Sequence, residues 1–175
     1  MAVRMDKIAL EEHFSGPGFE RYLAGVGDLF DPAVLAAIEK RLPDFDEERL
    51  AVMDAAGISV AVHSQTATGV QTERDSANAT DMARRSNDFM AERIAANPDR
   101  FRGFACLALQ DVDAAVAELH RCVSDLGFVG VLVNGSTLGS YLDEDQFDPL
   151  WSALVEAGVP LYLHPGLLVD SPAMF

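Results

Sequence analysis

Three times along this chain a run with helical periodicity ends at a glycine and an apolar strand follows at once. Leu50, Met53 and Ala56 precede Gly57, and Ile58 to Val62 then read ISVAV. Val112, Val116, Leu119, Val123 and Leu126 precede Gly127 and the run Phe128 to Val133; Leu150, Leu154 and Val155 precede Gly158 and the run Val159 to Leu163. Apolar positions three and four apart mark one face of a helix, and glycine supplies the left-handed residue that closes it. The strands are nearly all apolar, as strands covered on both faces must be. Two more fit the series: Lys7 to His13, and Phe101 to Leu109 after a helix spanning Asp75 to Ala96 that Asn97 and Pro98 end. Asp111 before the Val112 helix, and Asp148 with Pro149, mark helix starts.

Strands alternating with helices predict an α/β fold with a parallel sheet of five strands. The pattern breaks between Phe14 and Phe45, where Ser15-Gly16-Pro17-Gly18 opens an irregular excursion with a short helix through Ala33 to Arg41. Excursions of this length cover a site or form an interface. A closed (β/α) TIM barrel needs eight strands and typically about 250 residues, so five strands predict an incomplete barrel. A doubly wound open sheet is the rival, although no glycine-rich phosphate turn follows the first strand.

At 175 residues and 49% hydrophobic content, residues 1–175 are expected to form a single domain. The net charge of −15, with no basic cluster to offset it, argues against nucleic acid and against an anionic membrane surface as partners. It also means that a site for an anionic substrate needs a local cation, which a divalent metal can supply. No stretch reaches the roughly 18 apolar residues of a membrane span and no apolar leader opens the chain, so the cytoplasm is the expected location. Cys106 and Cys122 sit in apolar runs and read as small buried hydrophobes rather than a disulfide.

In parallel α/β folds the chemistry lies at the carboxyl ends of the strands, so the polar residues that end apolar strands are the candidates. They are Glu11 and His13, then His63 with Ser64 and Gln65, then Asn134, and finally His164 before Pro165. Glu11 and His13 are two apart and share one face of a strand, whereas Glu12 faces the other way. With His164 they make a carboxylate and two imidazoles at strand ends, a donor set suited to Zn²⁺ or Mn²⁺ with positions left for substrate. The alternative is that His13 and His164 are hydrogen-bonded core histidines. His63 is a candidate for substrate contact or for a structural place at a loop start. Asn134 is a strand cap or an amide for a bound carboxylate or hydroxyl. His120, in mid-helix, reads as a surface residue.

Several segments resemble one family: Ala9-Leu10-Glu11-Glu12-His13-Phe14, Asp54-Ala55-Ala56-Gly57-Ile58, Ala83-Arg84-Arg85-Ser86-Asn87-Asp88, Pro98-Asp99-Arg100-Phe101, Leu126-Gly127-Phe128-Val129-Gly130 to Val133-Asn134-Gly135, and Tyr162-Leu163-His164-Pro165. In this order they are similar to the γ-resorcylate decarboxylase group of the amidohydrolase-related family, which includes aminocarboxymuconate-semialdehyde decarboxylase. The resemblance implies a distorted (β/α)₈ barrel with one divalent metal, Mn²⁺ or Zn²⁺, held by Glu11, His13 and His164, and a substrate pocket lined by Asn134. It implies non-oxidative loss of CO₂ from a hydroxybenzoate-like acid, with no organic cofactor. Family members continue to a further His after strand six and to an Asp after strand eight that handles the proton; both would lie beyond Phe175, and the tail after Gly166 matches the family pattern less well. A frameshift, a fragment and a short variant each account for that. Two other functions are compatible with the same residues: a metal-dependent hydrolase of a lactone, ester or amide, and an inactive chain acting through oligomerisation. Unpaired edge strands in an incomplete barrel also predict a homo-oligomer or a tail that covers the edge.

Overall fold

The computed structural model describes residues 6–20 and 31–166. Residues 21–30 of the irregular excursion, and the tail after Gly166, lie outside the described residues. Five strands are present among those described: β1 (Lys7–Phe14), β2 (Ile58–Gln65), β3 (Phe101–Ala105), β4 (Gly130–Asn134) and β5 (Leu161–His164). The helices are α1 (Pro32–Arg41), α2 (Glu47–Ala56), α3 (Ser76–Ala96), α4 (Val112–Ser124) and α5 (Asp148–Ala157).

Local chemistry sets these boundaries. The side chains of Asp31, Asp75 and Asp111 accept from Ala33 N, Asn78 N and Ala114 N, capping α1, α3 and α4. Asp148 does not cap α5; it is the helix's first residue, set by a 3₁₀ turn at Asp145–Phe147. Gly57 and Gly158 take the left-handed conformation that closes α2 and α5, as the sequence predicts.

All pairings are parallel and the strands lie in sequential order, β1-β2-β3-β4-β5. A doubly wound sheet reverses its order at a switch point, so that rival is excluded and the fold is half of a (β/α) barrel. The main core lies between sheet and helices, where Phe14, Phe45, Phe101, Leu107, Leu119, Val131, Val133 and Leu150 are buried. A second, smaller cluster occupies the concave face: Val62, Phe104 and Leu132, with Tyr162 packed on them. Each comes from a different strand, the layered filling of a barrel interior.

Two strands differ in extent from their sequence pattern. β3 stops at Ala105, because the apolar residues Cys106 to Leu109 are buried in the turn that leads to α4 rather than paired in the sheet. β2 runs on to Gln65, because His63, Ser64 and Gln65 are polar yet buried and Glu12, His13 and Phe14 pair with them.

Candidate metal centre

Strands in a sheet lie about 4.8 Å apart, so the outer members of a flat five-stranded sheet would be about 19 Å apart. Here β1 and β5 are those outer members, yet the His13 and His164 ring centroids are 4.9 Å apart, nearly perpendicular to one another. The sheet is therefore curled, and side chains from opposite rims meet inside the concavity.

Glu11 is the third member of that meeting point. Its Oε1 lies 3.8 Å from His13 Nε2 and 3.3 Å from His164 Nε2. One ligand-type atom from each of the three residues lies within 4.8 Å of the others. An ion at about 2.0–2.2 Å from each donor holds them roughly 3–4 Å apart, so this spacing fits a divalent cation with small adjustments. The site is half-open: the Glu11 side chain is 47% exposed, His13 23% and His164 17%, which leaves room for a substrate beside an ion.

The surroundings tune the three groups. The Tyr162 phenol donates to Glu11 Oε2 and, with the nearby imidazoles, holds the Glu11 carboxyl below its usual range against a smaller opposing effect of burial. The phenol is pushed up in turn by the same bond. Burial lowers the His13 pKa, and His164 adds to the effect, so His13 is held in the neutral form that coordinates metal. His13 Nδ1 faces the Ser64 hydroxyl at 3.0 Å, while His164 Nδ1 is buried without a hydrogen-bond partner among the described residues.

Asn134 joins this group. It is paired in register with His164, is 7% exposed, and its Oδ1 is buried without a hydrogen-bond partner among the described residues. His63 does not join it. One residue out of phase with Ser64, its ring packs edge-on against Phe45 and Phe101 in the sheet–helix layer, with Nδ1 3.3 Å from Arg49 Nη1. Burial first, and the Arg49 charge second, lower its pKa to about 3. Of the two readings of His63, the geometry carries the structural one, since strand alternation turns the ring away from the concave face. His120 lies within α4, apart from the three. Cys106 and Cys122 are both buried free thiols.

Two neighbours of the centre are not marked by residue type. Tyr162 is two positions before His164, the spacing that puts both on one strand face. Arg49, an ordinary helix residue by sequence, sends its guanidinium under the end of β1, with Nη2 3.0 Å from the His13 carbonyl.

A parallel half-barrel whose concave mouth gathers one carboxylate and two imidazoles defines a barrel protein of the metal-centre type. The chain belongs to the amidohydrolase family, whose profile matches residues 32–175. It is 46% identical over 167 residues to a γ-resorcylate decarboxylase of Rhizobium radiobacter and 44% identical over 170 residues to that of Rhodococcus jostii, in each case covering 91% of this chain and 50% of the relative. Among solved structures, a 2,6-dihydroxybenzoate decarboxylase complexed with 2,6-dihydroxybenzoate superimposes with a TM-score of 0.88 at 42% identity, covering 95% of this chain and 52% of the other. A dihydroxybenzoic acid decarboxylase from Polaromonas sp. JS666, with bound manganese and the inhibitor 2-nitroresorcinol, gives 0.87 at 42% identity, with coverage of 94% and 51%. The chain thus spans about half the length of the curated relatives it matches.

Proposed function

We propose that this chain carries the metal-binding half of a decarboxylase that removes CO₂, without oxidation, from a hydroxylated aromatic acid. The observation that carries the reading is the convergence of Glu11, His13 and His164 across the concavity, with Asn134, the strand partner of His164, holding an amide oxygen unpartnered among the described residues. These three residues would hold one divalent cation, Mn²⁺ or Zn²⁺, whose charge offsets that of the substrate carboxylate and an ortho hydroxyl. Relatives crystallised with manganese and with dihydroxybenzoate support the choice of ion and substrate class.

The remaining residues bind and orient. Asn134 Oδ1 is a buried acceptor able to take a phenolic O–H. Phe104, Leu132 and Tyr162 give an aromatic ring an apolar floor. In a chain of net charge −15 the cation is also what admits an anion to the site. The family resemblance assigns ring protonation to an Asp in the other half of the relatives; Glu11, His13, His164 and Asn134 bind and orient the substrate.

Residues 1–175 are read as one domain. Among the described residues, β1 and β5 each pair on one side alone, and Ile8, Leu10 and Leu163 on them are exposed, which favours a homo-oligomer. Among the same residues no helix is long and apolar enough to cross a membrane. Two unpaired thiols and strong acidity agree with a cytoplasmic protein that does not bind nucleic acid.

Elemental analysis after Mn²⁺ loading and dialysis tests the reading. Near one ion per chain, lost in His164→Ala and required for saturable binding of 2,6-dihydroxybenzoate, is the expected result. Retention of no ion, or ligand binding indifferent to chelation, overturns it.

A further inference from the structure

We infer that Ser64 is a positioning residue for the centre: it fixes His13 as the tautomer protonated on Nδ1, which leaves the Nε2 lone pair aimed at the point shared with Glu11 and His164. The inference rests on the metal-centre reading and adds to it a residue that touches neither ion nor substrate.

The sheet register brings the two residues together. His13 on β1 and Ser64 on β2 are directly paired, so their side chains leave the same face of adjacent strands. Ser64 is fully buried and its Oγ lies 3.0 Å from His13 Nδ1. A hydroxyl both donates and accepts, so that contact alone leaves the tautomer open. The far edge of the ring decides it. His13 Nε2 is 3.8 Å from Glu11 Oε1, beyond hydrogen-bond reach, so the ring makes its hydrogen bond at Nδ1 and donates there to Ser64 Oγ. Nδ1 carries the hydrogen, and Nε2 is the free base.

His164 supplies the contrast. Its Nδ1 is buried with no partner among the described residues and its Nε2 lies 3.3 Å from Glu11 Oε1, so no residue behind the ring holds it as Ser64 holds His13. Ser64 therefore pre-organises one imidazole of the pair, which reduces the ordering that ion capture must impose.

The test begins with the unaltered, metal-free chain, in which long-range ¹⁵N–¹H correlation distinguishes the tautomers of each histidine. His13 is expected as the Nδ1–H form, and an Nε2–H majority for His13 overturns the inference while leaving the metal centre standing. The second arm is Mn²⁺ titration followed by the electron paramagnetic resonance of the free ion. Ser64→Ala is expected to weaken binding about 10-fold, the lower end for loss of an outer partner to a ligating imidazole, and to populate the Nε2–H form of His13 with the other histidine spectra unchanged. Ser64→Thr, which keeps the hydroxyl, is expected to retain the Nδ1–H form. Unchanged affinity and tautomer in a folded Ser64→Ala chain overturns the role of Ser64 alone. No Mn²⁺ binding by the unaltered chain overturns the metal-centre reading and this inference with it.

Discussion

The Tyr162 phenol donates its proton to the Glu11 carboxylate, tying β5 to β1 although the two strands stand at opposite ends of the sheet. Tyr162 spends its hydroxyl on the oxygen turned away from the imidazoles, and Glu11 Oε1 is left facing both. The carboxylate is thus oriented before any ion arrives.

Tyr162→Phe is expected to raise the Glu11 pKa toward the ordinary carboxylate value, because its largest depressing contact is removed. The folded-state value is the depressed one, so the stabilisation exists above the unfolded pKa and disappears as pH falls through the folded value. The effect on stability is small because the group is exposed. A ¹³C titration of the Glu11 carboxyl reads the shift directly, and an unchanged midpoint would show that the phenol is not what holds it down.

Arg49→Met is expected to cost about 2–4 kcal/mol in urea unfolding, because three carbonyl acceptors, two of them in part-buried contacts, lose a charged donor at once. The guanidinium reaches the His13 carbonyl at 3.0 Å, the Arg41 carbonyl at 3.2 Å and the Asp44 carbonyl at 2.6 Å. Arg49→Lys, with a single ammonium in place of the planar fork, should recover only part of that loss. A cost below about 0.5 kcal/mol would assign the residue to the surface class instead.

His63 should make the fold acid-sensitive. Its folded-state pKa is about 3 against an ordinary 6.5, so below pH 6.5 the unfolded chain takes up a proton that the native state refuses. Stability therefore falls as pH drops from 6.5 toward 3, by about 2 kcal/mol at pH 5 from this group. The groups facing the ring are Arg49 and the Glu12 carbonyl, and the Arg49 charge reinforces the effect. Denaturant midpoints measured at pH 8 and pH 5 should differ less in His63→Gln than in the unaltered chain. An equal difference would mean that other groups carry the acid response.

Gly135→Ala is expected to destabilise the chain by about 2 kcal/mol or more. Gly135 has φ +64°, and a Cβ there would lie 2.8 Å from Gly166 Cα. Its N–H donates to the His164 carbonyl at 2.9 Å, so the strain falls where β4 and β5 present Asn134 and His164. Thermal unfolding and Mn²⁺ retention should decline together. A fall in stability with ion affinity intact would uncouple this crossing from the centre.

The two sequence periodicities made the strands and most helix ends legible because they report which face of each element is apolar. They do not report curvature. Glu11 and His13 share a strand face by spacing alone, but their meeting with His164 depends on how far five strands curl, a property of packing between sheet and helices that no single segment carries. His63 shows the other limit. Polar residues closing an apolar strand read as a loop start, yet β2 continues through His63 to Gln65 because Arg49, Phe45 and Phe101 provide a buried polar and aromatic setting for the ring. Tyr162 and Arg49 were hidden for a related reason: each matters through a neighbour brought beside it by the fold.

The rims of this curled sheet approach each other only through side chains, with no backbone ladder closing the gap among the described residues. An ion seated at that point would brace the arch as well as serve chemistry, since flattening the sheet would pull its donors apart. Resistance to heat should then climb with the free concentration of the cation, rising by RT ln(1 + [ion]/Kd), so that a melting curve becomes a binding assay.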